Sequence, residues 1–455
     1  MLKPTNLKNG MSLLRFPVSG GNTCIVGIVI KTGSVVEDGR FPQGISQLVE
    51  RMFWKGTYKH PSTKHLNLAL ENIGGKYTSF TNQETTQLYL EVPEYNQFKA
   101  ISFLSEIIQR SFFDSRDIDM EKKLIIEQLK ESGYNVEGEL DEATLANMYS
   151  NSTLGLPVNG SVETVNQITT IQVLDYLAHQ YTPATTTVVI SGNFDTKKTL
   201  ELLEQEWSVW NTKSKKIYTV GESNQLNLDQ FPKISYRQRG IAQTYLSVSF
   251  VLDEGLQPQI NDEEDNEPKN DITQKQLLEN RLGAMANLMV LNTILGQGFS
   301  SRLWSKGVEE EVLFGHIESL LCYFQNTGFV QIKGNLENIQ FSFALECILS
   351  SLDSLKKTTV SINELSKSKS YLKGVLIRDH ENILTSTIWG VEQYIGSGLI
   401  FDLKDLLLKI DKIDAPTIRS SAIDLFVPQR LSISTLGTAK ETKLINKLIE
   451  KYIGG

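Results

Sequence analysis

Cysteine is scarce in this chain: three among 455 residues, at positions 24, 322 and 347. Thiols so few and so scattered exclude a disulfide framework and a cysteine-based metal site, and they fit a reducing compartment. Long apolar runs are missing too. No stretch approaches the roughly 18 apolar residues of a membrane-spanning helix, and the run Cys24–Ile30 stops at Lys31. The segment Met1–Arg15 has neither the apolar core of a signal peptide nor an Arg-rich amphipathic pattern, so a cytoplasmic location is expected. Positive charge is in deficit. The 45 Lys and Arg against 53 Asp and Glu leave a net charge of -8, which argues against nucleic acid or an anionic membrane surface as the main partner. Histidine is sparse as well: His60, His65, His179, His316 and His380 include no i, i+4 pair that would grip a metal from one helix face. Neither a G-x-S-x-G nucleophile elbow nor a G-x-x-x-x-G-K-S/T phosphate loop is present.

What is present reads as an ordinary globular chain. Hydrophobic residues make up 40% and charged residues 22%, so a mainly disordered or fibrous chain is excluded. Asn9-Gly10 between short apolar runs predicts a hairpin. Cys24–Ile30 predicts a buried strand. Apolar residues at 45, 48, 49, 52 and 53 have helical spacing. A helix over about 62–73 ends at Gly74-Gly75, a natural C-cap. Strands follow at 77–80 and 85–92, helices near 96–110, 116–133 and 141–150, then a β-branched strand at 185–190 and a helix at 197–209. The second half repeats this order, with strands near 233–238 and 244–251, a long helix near 277–295, strands near 314–321 and 328–334, further helices, and a closing strand and helix. The expected fold is therefore α+β, in two homologous lobes, each a mixed, largely antiparallel sheet packed with helices. The lobes are placed at residues 1–215 and 233–455, joined by a polar linker, 216–232. Within the second, Asp253–Lys275 is an acidic, proline-containing loop.

One segment carries a resemblance. Gly44-Ile45-Ser46-Gln47-Leu48-Val49-Glu50-Arg51, continuing to Trp54-Lys55-Gly56-Thr57, resembles the signature G-I-S/A-H-x-x-E-H-x-x-F-K-G-T of the M16 metallopeptidases, the insulinase and mitochondrial processing peptidase family. Gly74-Gly75 with Thr81, Glu84 and Thr86 resembles the family's G-G-x-x-N-A-x-T-x-x-E-x-T. In the second half, Leu295-Gly296-Gln297-Gly298 with Ser300-Ser301-Arg302-Leu303 resembles L-G-G-G-x-S-S-R-L, and Glu364-Leu365 with Lys369 and Gly374 resembles E-L-x-x-A-K-x-x-x-x-G. The resemblance implies the M16/LuxS-like fold, with two lobes enclosing a chamber for an extended peptide. In the family, two histidines at i and i+4 hold zinc, the glutamate between them activates the metal-bound water, and a distal glutamate completes the ligand set.

This chain departs from that pattern at the positions that matter most. The histidine positions hold Gln47 and Arg51, while Glu50 keeps the base position and the distal ligand position falls on Glu127. A neutral amide is a poor zinc ligand, and a permanently protonated guanidinium has no lone pair to give. Thr78 replaces the family's substrate-binding asparagine, and Glu84 keeps its glutamate. In the second half the family's substrate-contacting arginine and tyrosine positions fall on Val308 and Gly315, neither of which can donate to an oxyanion. Residues 47, 50, 51, 78, 84 and 127 thus outline a vestigial active centre, with no zinc and no other cofactor expected. Arg51 is expected to pair with Glu127, Glu50 or both, with Gln47 hydrogen-bonding nearby. The resemblance implies an inactive subunit that forms a heterodimer with an active M16 peptidase and helps bind extended peptides. A purely structural subunit is the alternative, and a peptidase of non-standard chemistry a lesser one.

Overall fold

The computed structural model describes residues 4–18, 20–131, 135–208, 210, 228–252, 271–397, 400–438 and 442–454. Most of the expected linker 216–232 and of the acidic loop 253–275 lies outside these residues; from Asp271 the chain is already helical. The chain divides into two compact units, Met1–Tyr134 with Asn151–Gln225 and His380–Ile395, and Asn135–Ser150 with Leu226–Asp379 and Gly396–Gly455.

The first unit is built on β1 (Thr5–Asn6), β2 (Ser12–Pro17), β3 (Thr23–Ile30), β4 (Lys76–Thr81), β5 (Thr86–Pro93) and β6 (Thr186–Gly192), in the sheet order β1-β2-β6-β3-β5-β4. Among the described strands of this sheet only β2 and β6 run parallel. Asn9-Gly10 makes the predicted hairpin, with Leu7 N–H 2.8 Å from the Met11 carbonyl. Central β3 is a continuous apolar run because helices and neighbouring strands exclude water from it; Ile25, Ile28, Val29 and Ile30 are fully buried.

Four helices of this unit matter for the site: α1 (Ile45–Met52), α2 (Thr63–Asn72), α3 (Gln97–Arg110) and α4 (Ser115–Glu131). Ser62 caps α2 by accepting from the His65 N–H. Gly74, at φ +64°, ends it in the left-handed conformation, and Gly75 N–H reaches the Leu70 carbonyl at 3.0 Å. α3 lays Ala100, Ile101, Leu104 and Ile107 into the core at helical spacing, each side chain contributing about 1.5–3 kcal/mol where it is large and aliphatic.

The second unit repeats the plan with β7 (Lys233–Gln238), β8 (Gln243–Leu252), β9 (Phe314–Tyr323), β10 (Gly328–Glu337) and β11 (Leu431–Gly437), ordered β7-β11-β8-β10-β9. Among the described strands here, β7 and β11 form the single parallel pair, as β2 and β6 do in the first unit. The duplication read from the order of elements is thus a duplication of sheet topology.

Two helices cross this plan. α5 (Val136–Met148), which starts five residues earlier than the periodicity predicts because Asn135 caps it, belongs to the second unit although it lies in the first half of the sequence. It buries Leu140, Ala143 and Met148, and polar contacts tie it to the strands there. Asn147 donates to Ser432 Oγ at 2.9 Å and to the Ile433 carbonyl at 3.2 Å, and Asp141 accepts from Gln331 and Lys333 at 2.9 and 3.0 Å. Conversely, residues 380–395, most of helix Ile383–Ser397, belong to the first unit, where the Tyr394 ring lies 5.6 Å from the Lys31 ammonium. A division at 215 and 233 follows the sheets but assigns these two helices to the other unit. Nothing local in either sequence marks the exchange, since it depends on long-range partners.

Candidate functional site

α1 is eight residues long, too short to hold itself in water, so its position is set by its neighbours. Ile45, Leu48, Val49 and Met52 are wholly buried on its inner face. Its first turn has no side-chain cap of its own, because the N-cap is Gly44 at φ +89°. The missing cap comes from Glu37. Its carboxylate accepts the Gly44 and Ser46 N–H groups at 2.8 and 2.9 Å and the Ser46 hydroxyl at 2.6 Å. Ser46 Oγ lies 2.8 Å from Tyr176 Oη, which lies 2.9 Å from Thr32 Oγ1. Among the described residues no cation pairs with Glu37, and burial pushes its pKa up to about 7 against the lowering effect of these hydrogen bonds.

Residues 47 and 51, four apart, share the other face of α1, as the motif requires. Gln47 is half-buried, and its Oε1 finds no hydrogen-bond partner among the described residues. Arg51 reaches to α4. Its Nη1 lies 3.4 Å from Glu121 Oε2, and its Nη2 donates to Gln128 Oε1. Lys55, one turn further on, also pairs with Glu121. The expected pairing of Arg51 with Glu127 or Glu50 is therefore corrected: the partners are Glu121 and Gln128. The physical reason is helical phase. Ile118, Glu121, Ile125 and Gln128 recur at i, i+3, i+7 and i+10 and form the stripe of α4 whose first three members are buried. Glu127 sits one residue, about 100°, off that stripe and is exposed. The position opposite the motif helix is thus an amide, Gln128. The signal was present in the sequence, in the spacing of Ile118 and Ile125, but a count of residues along the chain does not resolve a one-residue offset.

Glu50 turns away from this cluster. It is 8% exposed, and its carboxylate accepts the Ser79 hydroxyl at 2.5 Å and the Thr81 hydroxyl at 3.4 Å, both from β4. Trp54 Nε1 donates to the same Ser79 oxygen at 3.1 Å, and the Trp54 ring stacks on Tyr77 with centroids 3.8 Å apart. Burial raises the Glu50 pKa, opposed by Ser79 and Thr81 first and by the charge of Arg51 after them. These bonds occupy about two of the four or so acceptor positions of the carboxylate and hold it toward β4.

The remaining sequence candidates are dispersed. Thr78 is half-buried on β4, paired across the sheet with Tyr89, and alternates to the opposite face from Ser79. Glu84 sits in the turn between β4 and β5, where its N–H bonds to the Asn82 side chain at 2.9 Å. In the second unit, Val308 lies in a π-helical segment, Ser305–Glu310, and Gly315 near the start of β9. Arg302 there is held by Glu364 in a two-pronged pair at 2.7 and 2.9 Å. Sequence reasoning missed Glu37, Lys55, Ser79, Thr81, Glu121 and Gln128, whose roles depend on contacts between elements.

Comparison with known proteins places the chain in a family. Residues 18–161 match the family described as Insulinase (Peptidase family M16), and residues 167–372 match the Peptidase M16 inactive domain. An uncharacterized zinc protease, YmxG of Bacillus subtilis, is 23% identical over 94% of this chain and 96% of its own length. The mitochondrial-processing peptidase subunit beta of Dictyostelium discoideum is 28% identical over 45% of this chain and 44% of its own. Among solved structures, a protease from Helicobacter pylori superposes with a TM-score of 0.82 at 17% identity, covering 96% of this chain and 99% of that one. A peptidase M16 inactive domain from Pseudomonas fluorescens gives 0.78 at 14% identity, covering 97% and 99%. At such identities the superpositions speak to the fold.

The names of these relatives raise the question of zinc, and the donor set answers it chemically. Zinc in protein sites is held by thiolate, imidazole or carboxylate. The motif-face positions of α1 and the stripe of α4 offer two amides, Gln47 and Gln128, and the Arg51 guanidinium, while the nearby Glu121 carboxylate is taken by two cations. These residues do not fit the metal.

Proposed function

This chain belongs to the M16 (insulinase) peptidase family, and we propose that within it the chain is a non-catalytic subunit, without zinc, that pairs with an active M16 peptidase and helps bind its peptide substrates. The observation that carries this reading is Arg51: a permanent cation, bonded to Gln128 and Glu121, stands on the helix face where a metal would need an imidazole. Peptide binding needs none of the lost groups. β4 is the last strand in its sheet order, so one side of its main chain is unpaired by any described strand, and an extended peptide can add there by backbone hydrogen bonding. The partnership is supported by a relative that is itself named as a subunit of a processing peptidase. Three free thiols suit a reducing compartment, and a cytoplasmic location goes with the proposal.

Co-expression with an intact H-x-x-E-H chain from the same genome tests the reading. The expected outcome is a stable two-chain complex that cleaves peptides and loses that activity to a chelator, while this chain alone cleaves nothing. Chelator-sensitive cleavage by the isolated chain would refute the proposal. A complex whose cleavage is the same with and without this chain would favour a purely structural subunit.

A further inference from the structure

The first unit also contains a cavity of about 440 Å³, bordered by α2, α3, helix Thr196–Trp207 and the segment that precedes α2. It shares no residue with the centre formed by α1, α4 and β4. Its volume lies in the range of small-molecule sites, roughly 300–1,000 Å³, and it is a half-open groove rather than a closed cavity, so a ligand would keep one side in solvent. Ile73, Phe98, Phe103 and Leu202 supply apolar wall, and Ile73 and Phe103 are themselves buried. Two exposed lysines, Lys59 and Lys99, lie against that wall.

The charges are unevenly committed. Glu106, the acid of the cavity, has a side chain only 11% exposed. Its Oε1 accepts the Thr57 hydroxyl at 2.5 Å and the Lys59 N–H at 3.2 Å. Its Oε2 lies 3.8 Å from His60 Nε2 and 4.0 Å from the Lys59 ammonium. Lys99 forms no ion pair among the described residues. In a chain of net charge -8, one concave, largely apolar surface thus carries the uncommitted ammonium of Lys99, while that of Lys59 is shared with Glu106.

We propose that this cavity binds a small amphipathic carboxylate, its hydrocarbon tail against Ile73, Phe98, Phe103 and Leu202 and its anionic head on Lys99, with Lys59 alongside. A lysine stem lies comfortably along apolar surface while its ammonium meets the head group at the edge. A single uncommitted ammonium matches one negative charge better than the double charge of a phosphate monoester, for which a forked guanidinium is the stronger partner.

Calorimetric titration of the full chain with octanoate, 1-octanol and acetate tests this. Octanoate is expected to bind saturably at one site, with octanol and acetate each weaker by about tenfold or more, since each lacks half of the recognition. Lys99→Gln, on an exposed helix face, should weaken octanoate by about tenfold and leave octanol unchanged. Ala69→Leu, which fills the cavity from α2, should weaken both, and thermal melts of the two variants verify that they fold. The proposal is overturned if octanoate shows no saturable binding, if Lys99→Gln binds it as the parent does, or if octanoate and octanol bind alike. None of these outcomes touches the subunit proposal, which rests on different residues.

Discussion

Glu37 and Glu121 are both buried beside α1, one at its inner end and one across from its outer face, and the chain keeps them in opposite ways. Glu37 has no cation among the described residues; it is held by the first N–H groups of α1, the Ser46 hydroxyl and the positive end of the helix. Glu121 has two cations, Arg51 and Lys55. The inner arrangement positions the helix and would serve a metallopeptidase equally well. The outer one supplies the positive charge that a metal would otherwise bring. On the proposed reading, the scaffold of a catalytic helix persists here while its donor atoms are replaced, and the replacement is electrostatic as well as steric.

The largest effect expected is a gain of function in metal binding. Gln47→His, Arg51→His and Gln128→Glu together place two imidazoles on one face of α1 and a carboxylate on the facing stripe of α4. The triple variant should retain one zinc per chain through gel filtration, measured by elemental analysis, and none of the single variants should. Failure of the triple variant, folded, to retain metal would mean that α1 and α4 are not arranged as a metal cradle.

Next comes the inner carboxylate. Glu37→Ala removes the cap of α1 and leaves Ser46 without its acceptor, at a cost of about 2–4 kcal/mol by denaturant titration. Glu37→Gln sharpens the contrast through pH. The pKa of Glu37 is raised from 4.5 to about 7, so the folded state binds a proton that the unfolded state has released. Its contribution is fully present below pH 4.5 and is lost as pH rises to about 7, on the order of 3 kcal/mol in all. Glu50, raised by burial as well, acts in the same direction. Stability should fall with rising pH across this window by distinctly less in Glu37→Gln than in the parent.

Smaller again is the outer cluster. Glu121→Ala leaves two cations without their anion, but their side chains are 25% and 23% exposed and water reaches them, so about 1–2 kcal/mol is expected. Arg51→Ala should cost less, below about 1 kcal/mol, because Lys55 still pairs with Glu121. If Arg51→Ala proves the costlier of the two, Lys55 does not substitute for it.

Much of this was legible without coordinates. The hairpin at Asn9-Gly10, the buried run at Cys24–Ile30, the C-cap at Gly74 and the repeated order of elements follow from local chemistry and periodicity, and so does the placing of Gln47 and Arg51 on one helix face. The partner of Arg51 was not legible, because it depends on the rotation of α4 about its own axis, where Glu127 and Gln128 differ by one residue. The Glu37 cap was hidden for a related reason: a helix whose N-cap is glycine borrows its acceptor from elsewhere in the chain, and no local pattern names the lender. The exchange of α5 escaped because its buried stripe, Leu140, Ala143, Thr144 and Met148, marks a helix face but does not say which sheet that face meets.

The most direct test of the central claim joins metal content to activity on the unaltered chain: zinc per chain after purification in zinc-supplemented medium, with peptide cleavage assayed before and after chelation. The account predicts less than stoichiometric zinc and no cleavage that a chelator abolishes. One tightly held zinc per chain, together with cleavage that disappears on its removal, would contradict it.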